Sequence, residues 1–197
     1  MSKAQWQGGT LLAPVPAVMV SCGTMENANI LTIAWTGIIN SNPPKTYISI
    51  RPERHSYEII KETGEFVINL TTTPLVRATD FCGVRSGRDL DKFERMALTK
   101  EAAAHVGCPM IGESPVSLEC QVTECVPLGS HDMFLANILA VNVDEQYLDE
   151  RGKLHLDKAQ LISYAHGEYF ELGKKLGSFG YTVRKKKKKN GKKKAKK

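Results

Sequence analysis

Between Asn29 and Ser56 the chain reads NILTIAWTGIINSNPPKTYISIRPERHS. Two runs rich in Ile, Thr and aromatics, 30–39 and 46–50, have the composition of β-strands. Between them Ser41-Asn42-Pro43-Pro44 is a strong turn signal. After them, Ser56 is placed to cap a helix over 57–62 that Gly64 ends. The runs carry Thr32, Thr36 and Ser49, and Arg51 and Arg54 follow the second. Arginine forks and short hydroxyls suit a phosphate, and apolar strands suit a flat ring. The block therefore points to a phosphorylated aromatic ligand; the competing reading is a pair of surface charges on an edge strand.

Outward from this block the pattern stays mostly β. Residues 12–21 form a strand entered through two prolines, and 65–70 (EFVINL) a strand with an apolar centre. Residues 74–81 turn helical. The following CGVRSGRDLDKF, 82–93, reads as a long surface loop of the kind that often carries function. Residues 99–106 hold a short strand and a loop. Long strands at 116–126 and 133–144 flank the hairpin turn PLGSHD, and 161–164 is a short strand before an irregular 167–176. The sum, about seven strands with mostly short connections, predicts a mainly β antiparallel barrel or sandwich with a few helices.

At 197 residues the chain suits one domain, 1–183, followed by a lysine-rich stretch, 184–197, too low in complexity to build a core. Of 27 Lys and Arg, 11 fall in that stretch; the remaining 16 face 21 Asp and Glu, so the body carries about −5 despite the overall +6. The tail is expected to be disordered, or to act as an arm on nucleic acid or an anionic surface, without sequence preference because it has no aromatic to stack. No signal-peptide core opens the chain, which points to the cytoplasm, where five unpaired-looking cysteines stay reduced. Their spacing does not suit zinc. Trp6, Phe81, Phe93, Phe134 and Tyr164 are expected in the core.

Five segments, in order, carry a resemblance: NxxTxAWTG, RPxRxS, GEFVINL, SGxDxDKF and GSHDxFLAxI. Together they resemble the flavin reductase-like family of FMN-binding split barrels, of the flavoredoxin type. The resemblance implies a six-stranded antiparallel Greek-key barrel, a homodimer, and non-covalent FMN near the dimer interface. It places Asn29, Thr32, Ala34, Trp35 and Thr36 along the flavin ring. Ser49, Arg51, Arg54 and Ser56 fall around the ribityl-phosphate, and Cys82, Ser86 and Lys92 on the loop that approaches the cofactor. His131, in Gly129-Ser130-His131-Asp132, is placed near the flavin and the nicotinamide site, where an imidazole can hydrogen-bond a carboxamide. Many flavin reductases have Gly-Asp-His there, and the departure fits the flavoredoxin-like branch.

These readings lead to an FMN-binding oxidoreductase that takes electrons from NADH or NADPH or relays them to a redox partner protein. The alternatives are a flavoredoxin-like carrier without its own NAD(P)H activity and, more remotely, a nucleic-acid-binding barrel using the basic tail. Nothing in the residues excludes FAD, and no metal is implied.

Overall fold

The computed structural model describes residues 1–184. The lysine-rich stretch from 185 onward, and with it almost all of the expected tail, lies outside the described residues. The strands are β1 Val15–Pro16, β2 Val18–Gly23, β3 Ala28–Ile33, β4 Thr36–Ser41, β5 Pro44–Ile50, β6 Glu65–Leu70, β7 Lys100–Glu101, β8 Met110–Ile111, β9 Val116–Pro127, β10 Asp132–Val143, β11 Ile162–Ala165 and β12 Glu168–Glu171. The α-helices are α1 His55–Thr63, α2 Val76–Val84 and α3 Lys92–Arg95. Among the described residues no helix is long and apolar enough to cross a membrane.

The main sheet has seven antiparallel strands in the order β3-β2-β6-β9-β10-β5-β4. Its two edges, β3 and β4, are consecutive in the chain and separated only by Ala34 and Trp35. Two residues span at most ~7 Å, so the sheet must curl until its edges nearly meet. The result is a barrel of six chain passes, with β3 and β4 sharing one pass that breaks at the seam. A single backbone bond, Ser49 N–H to Trp35 O at 3.0 Å, stitches β5 to the break.

Period-2 alternation builds two layers on the same strands. Val18, Val20 and Cys22 of β2 point into the barrel with Leu31, Ile33, Ile48, Ile50, Phe66, Ile68 and Phe134. Tyr57 and Ile60 of α1 join this interior cluster. Met19 of β2 and Ile30 of β3 point outward, where Ala78 and Cys82 of α2, Phe93 of α3 and Leu75 just before α2 cover them. Asn69 is fully buried and fully used: it donates to Met19 O and Ser21 Oγ and accepts from Ile111 N–H and Ser117 Oγ.

Several expectations need correction. The 30–39 run splits at the seam, and 167–176 contains β12. Residues 82–93 are not all surface loop, because Cys82 ends up inside α2 and Lys92 and Phe93 open α3, all three buried against β3. Trp6 is 75% exposed and belongs to no core cluster among the described residues, and Phe81 and Tyr164 are only half-buried. Helix α1 begins at His55 with Arg54 as its N-cap residue, and Ser56 does not cap it.

Candidate functional site

The seam opens into a cleft with two joined lobes, which share Leu31, Arg51, Arg54 and Val84. The central lobe, about 390 Å³, is walled by β3, the Ala34–Trp35 link, the end of β5, α2 and the β11–β12 hairpin. The basic lobe, about 430 Å³, lies between the first turn of α1 and the 85–92 loop. Both volumes fall within the range of small-molecule sites.

Five cations line the basic lobe, Arg51, Arg54, Arg85, Arg88 and Lys92, against one acid, Glu53. Glu53 sits 3.7 Å from the Arg51 guanidinium. Arg54 donates from Nη1 to Gly83 O and Arg88 from Nη1 to Glu53 O, so both guanidinium groups are oriented by backbone carbonyls. The N-terminus of α1 adds its own positive end: among the described residues the N–H groups of His55 and Ser56 have no backbone acceptor. Burial, with Arg88 and Lys92 nearby, lowers the pKa of His55 and keeps its imidazole from adding a charge at neutral pH. The lobe is built for an anion.

Lys92 is 3% exposed, and its Nζ donates to Ile30 O at 2.7 Å and Cys82 O at 2.8 Å. An ammonium has three protons, so one remains for the lobe that Lys92 lines. Burial lowers its pKa, and Arg54 pushes the same way. In the same lobe Asn29 donates from Nδ2 to Ser56 Oγ at 2.7 Å, both residues being buried. Gly87 leaves room for this pair, since a Cβ there would fall 2.1 Å from Asn29 Oδ1.

The central lobe is apolar and aromatic, with Ile33, Trp35, Tyr164 and Tyr169 on its walls. His131 packs on Trp35 with ring centroids 4.6 Å apart, and its Nδ1 lies 3.0 Å from Ser130 Oγ. Asp132 is not its partner, because that carboxylate accepts from the Tyr57 hydroxyl. Burial first, then Arg51 and Arg54, lower the pKa of His131, so it is neutral at pH 7. Among the described residues the N–H groups of Ala34 and Trp35 have no acceptor. They are donors left over by the break between two edge strands.

Of the residues expected at the site, Thr32, Ala34, Trp35, Ser49 and His131 line the central lobe, Arg51 and Arg54 both lobes, and Asn29, Ser56, Ser86 and Lys92 the basic lobe. Two do not. The Cys82 side chain faces the outer core, and burial pushes its thiol up to about 11. The Thr36 hydroxyl donates to Tyr47 O and pins β4 to β5. The Thr32 hydroxyl, though at the cleft, is taken by Thr79 O. Arg85 and Arg88, inside RSGRD, were legible as charge but not singled out. Asp80 and Tyr169, whose hydroxyl donates to Asp80 Oδ1 at 3.4 Å, left no local signal.

A barrel of this topology has counterparts. The sequence pattern of the flavin reductase like domain matches residues 11–173. The chain belongs to the flavin reductase-like family. Its structure is similar to the flavoredoxin of Desulfovibrio vulgaris (Miyazaki F), with a TM-score of 0.86 and 30% identity over 93% of this chain and 100% of that one. The flavoredoxin of Methanosarcina acetivorans superposes with a TM-score of 0.84 at 26% identity, covering 93% of this chain and 98% of that one. A curated relative, the NADPH-flavin oxidoreductase of Streptomyces viridifaciens, is 23% identical over 68% of this chain and 69% of its own. The mainly β, split-barrel architecture is thus the family's.

Proposed function

We propose that this flavin reductase-like protein is an FMN-binding oxidoreductase. The observation that carries the reading is the junction of a basic lobe with an apolar, aromatic one, sharing Arg51 and Arg54. FMN has one phosphate and one flat ring, and the two lobes match them in order. Arg51, Arg54, Lys92 and the first turn of α1 would hold the phosphate. Ser49 and the amides of Ala34 and Trp35 would meet the polar edge of the ring, with Trp35 and His131 beside it. Bound flavin would supply one- and two-electron redox chemistry. Around it, the neutral His131, with Nδ1 on Ser130 Oγ, leaves Nε2 for an incoming carboxamide and adds no further positive charge. Asp80 and Tyr169 rim the same lobe.

We also infer a homodimer, because Ile38 and Ile39 of β4 and Leu139 and Val141 of β10 leave apolar side chains exposed on the same sheet. Light scattering on a sizing column tests it, and a monomer at micromolar concentration refutes it.

Absorbance of the purified protein, followed by titration of the apoprotein with FMN, FAD and riboflavin, tests the cofactor. Failure to bind any of them overturns the reading. NADH and NADPH in a stopped-flow instrument then test the donor. The likeness to two flavoredoxins favours a second reading, a carrier reduced by a partner protein. Bleaching by a reduced ferredoxin-type protein but by neither nicotinamide would select it.

A further inference from the structure

The cleft continues past Trp35 into a third lobe of about 400 Å³, which no part of the reading above uses. It shares Trp35, Tyr164 and Gly167 with the central lobe, so the two are continuous. Its outer wall is the segment before β1, with Leu11 and Leu12 facing it from one side and His166 from the turn of the β11–β12 hairpin.

The chemistry changes along the cleft. The basic lobe holds five cations, whereas no Asp, Glu, Lys or Arg lines the third lobe. A phosphorylated dinucleotide placed there would find no cation for its phosphates, and burying them unpaired is unfavourable. Trp35 and Tyr164 instead offer ring surfaces for offset stacking, and Leu11, Leu12 and Val15 add apolar side chains to the outer wall. The hydroxyls of Thr10 and Tyr164 and the imidazole of His166 line it too. Tyr164 and Thr10 can donate to a carbonyl oxygen without bringing charge.

We propose that the third lobe is a binding site for a small, flat, uncharged carbonyl compound of the quinone class. This assigns the acceptor side of the proposed oxidoreductase to a neutral ring and leaves anionic ligands to the basic end. The assignment of the ligand as an electron acceptor rests on the flavin reading, while its binding does not.

The probe is menadione, with 1,4-naphthoquinone-2-sulfonate as its anionic counterpart. In a Trp6→Phe background Trp35 is the one remaining tryptophan of the two; its fluorescence, corrected for absorption, reports both lobes that it lines, and the variants at Leu11 and Leu12 tell them apart. Menadione should quench it saturably, and the sulfonate should bind at least tenfold more weakly. Leu11 and Leu12 are 56% and 87% exposed, so Leu11→Glu with Leu12→Glu should leave the fold intact. The pair should weaken menadione at least tenfold while FMN affinity, read by flavin fluorescence, stays within twofold. Quenching that is linear in quinone, or equal in wild type and the double variant, overturns the proposal. Saturable quenching in a protein that binds no flavin would keep the lobe and discard the cofactor reading instead.

Discussion

Replacing Lys92 with Met removes two hydrogen bonds and one buried charge while nearly keeping the side chain's length. The bonds run from Nζ to Ile30 O at 2.7 Å and Cys82 O at 2.8 Å, tying α3 to β3 and to α2. Hydrogen bonds to charged groups contribute ~1.5–3 kcal/mol each, so the two together are worth about 3–6 kcal/mol. Opposing them is the desolvation of the ammonium, several kcal/mol for an ion of this size. Burial is also the first reason its pKa is lowered. For the charge alone the lowered pKa means that desolvation wins, so the loss on substitution is that of Ile30 O and Cys82 O left without this donor, about 1–3 kcal/mol. With a urea slope of roughly 1–3 kcal/mol per molar, the unfolding midpoint at pH 7 should fall by about 1 M. The pH dependence has a definite sign. The folded protein releases the Lys92 proton before the unfolded chain does, whose lysine titrates at 10.5. Through that interval the unfolded chain binds more protons, so the stability of wild type relative to Lys92→Met rises with pH. Urea melts of both proteins by circular dichroism from neutral pH to 10.5 measure this. A Lys92→Met protein as stable as wild type at pH 7, or a difference that does not grow with pH, would refute the reasoning.

Arg54 lines both lobes, so Arg54→Ala should weaken FMN by about 1.5–3 kcal/mol and leave riboflavin almost unchanged; equal losses for the two ligands would move the phosphate elsewhere. Gly87→Ala drives a methyl to within 2.1 Å of Asn29 Oδ1 and 2.9 Å of His55 Cδ2. It should destabilise by about 1–3 kcal/mol in urea melts as the Asn29–Ser56 bond gives way, and an unperturbed melt would argue against the close approach. His131 should titrate below 6.5 by NMR, and Arg51→Gln should move that midpoint upward. Because the unfolded chain protonates this imidazole first, its contribution to stability is lost as pH falls through 6.5; a midpoint at or above 6.5 contradicts the burial and charge argument.

Much of this was legible along the chain. Strand β6 lies where EFVINL has its apolar centre, and Gly64 ends α1 at φ 69°, in the left-handed region glycine favours. Arg51 and Arg54 stood out because charge is unusual at the end of an apolar strand. Lys92 and Cys82 were misread because α2 and α3 are short and mix glycine and charge with their apolar positions, so helical period is hard to see over so few residues. Trp6 was misread for the opposite reason: a large aromatic suggests a core, yet it is 75% exposed.

The sequence by itself determined the mainly β composition, roughly where most strands of the main sheet lie, and that cations and hydroxyls accompany the block from Asn29 to Ser56. Those are local properties, set by side-chain alternation and turn residues. Only the tertiary structure decided that the chain breaks at Ala34 and Trp35, that Arg85, Arg88 and Lys92 face Arg51 and Arg54, and that His131 rests on Trp35. The physical reason is closure. Two edge strands joined by two residues force the sheet to curl, and the curl brings distant segments to one seam while leaving backbone donors there without strand partners.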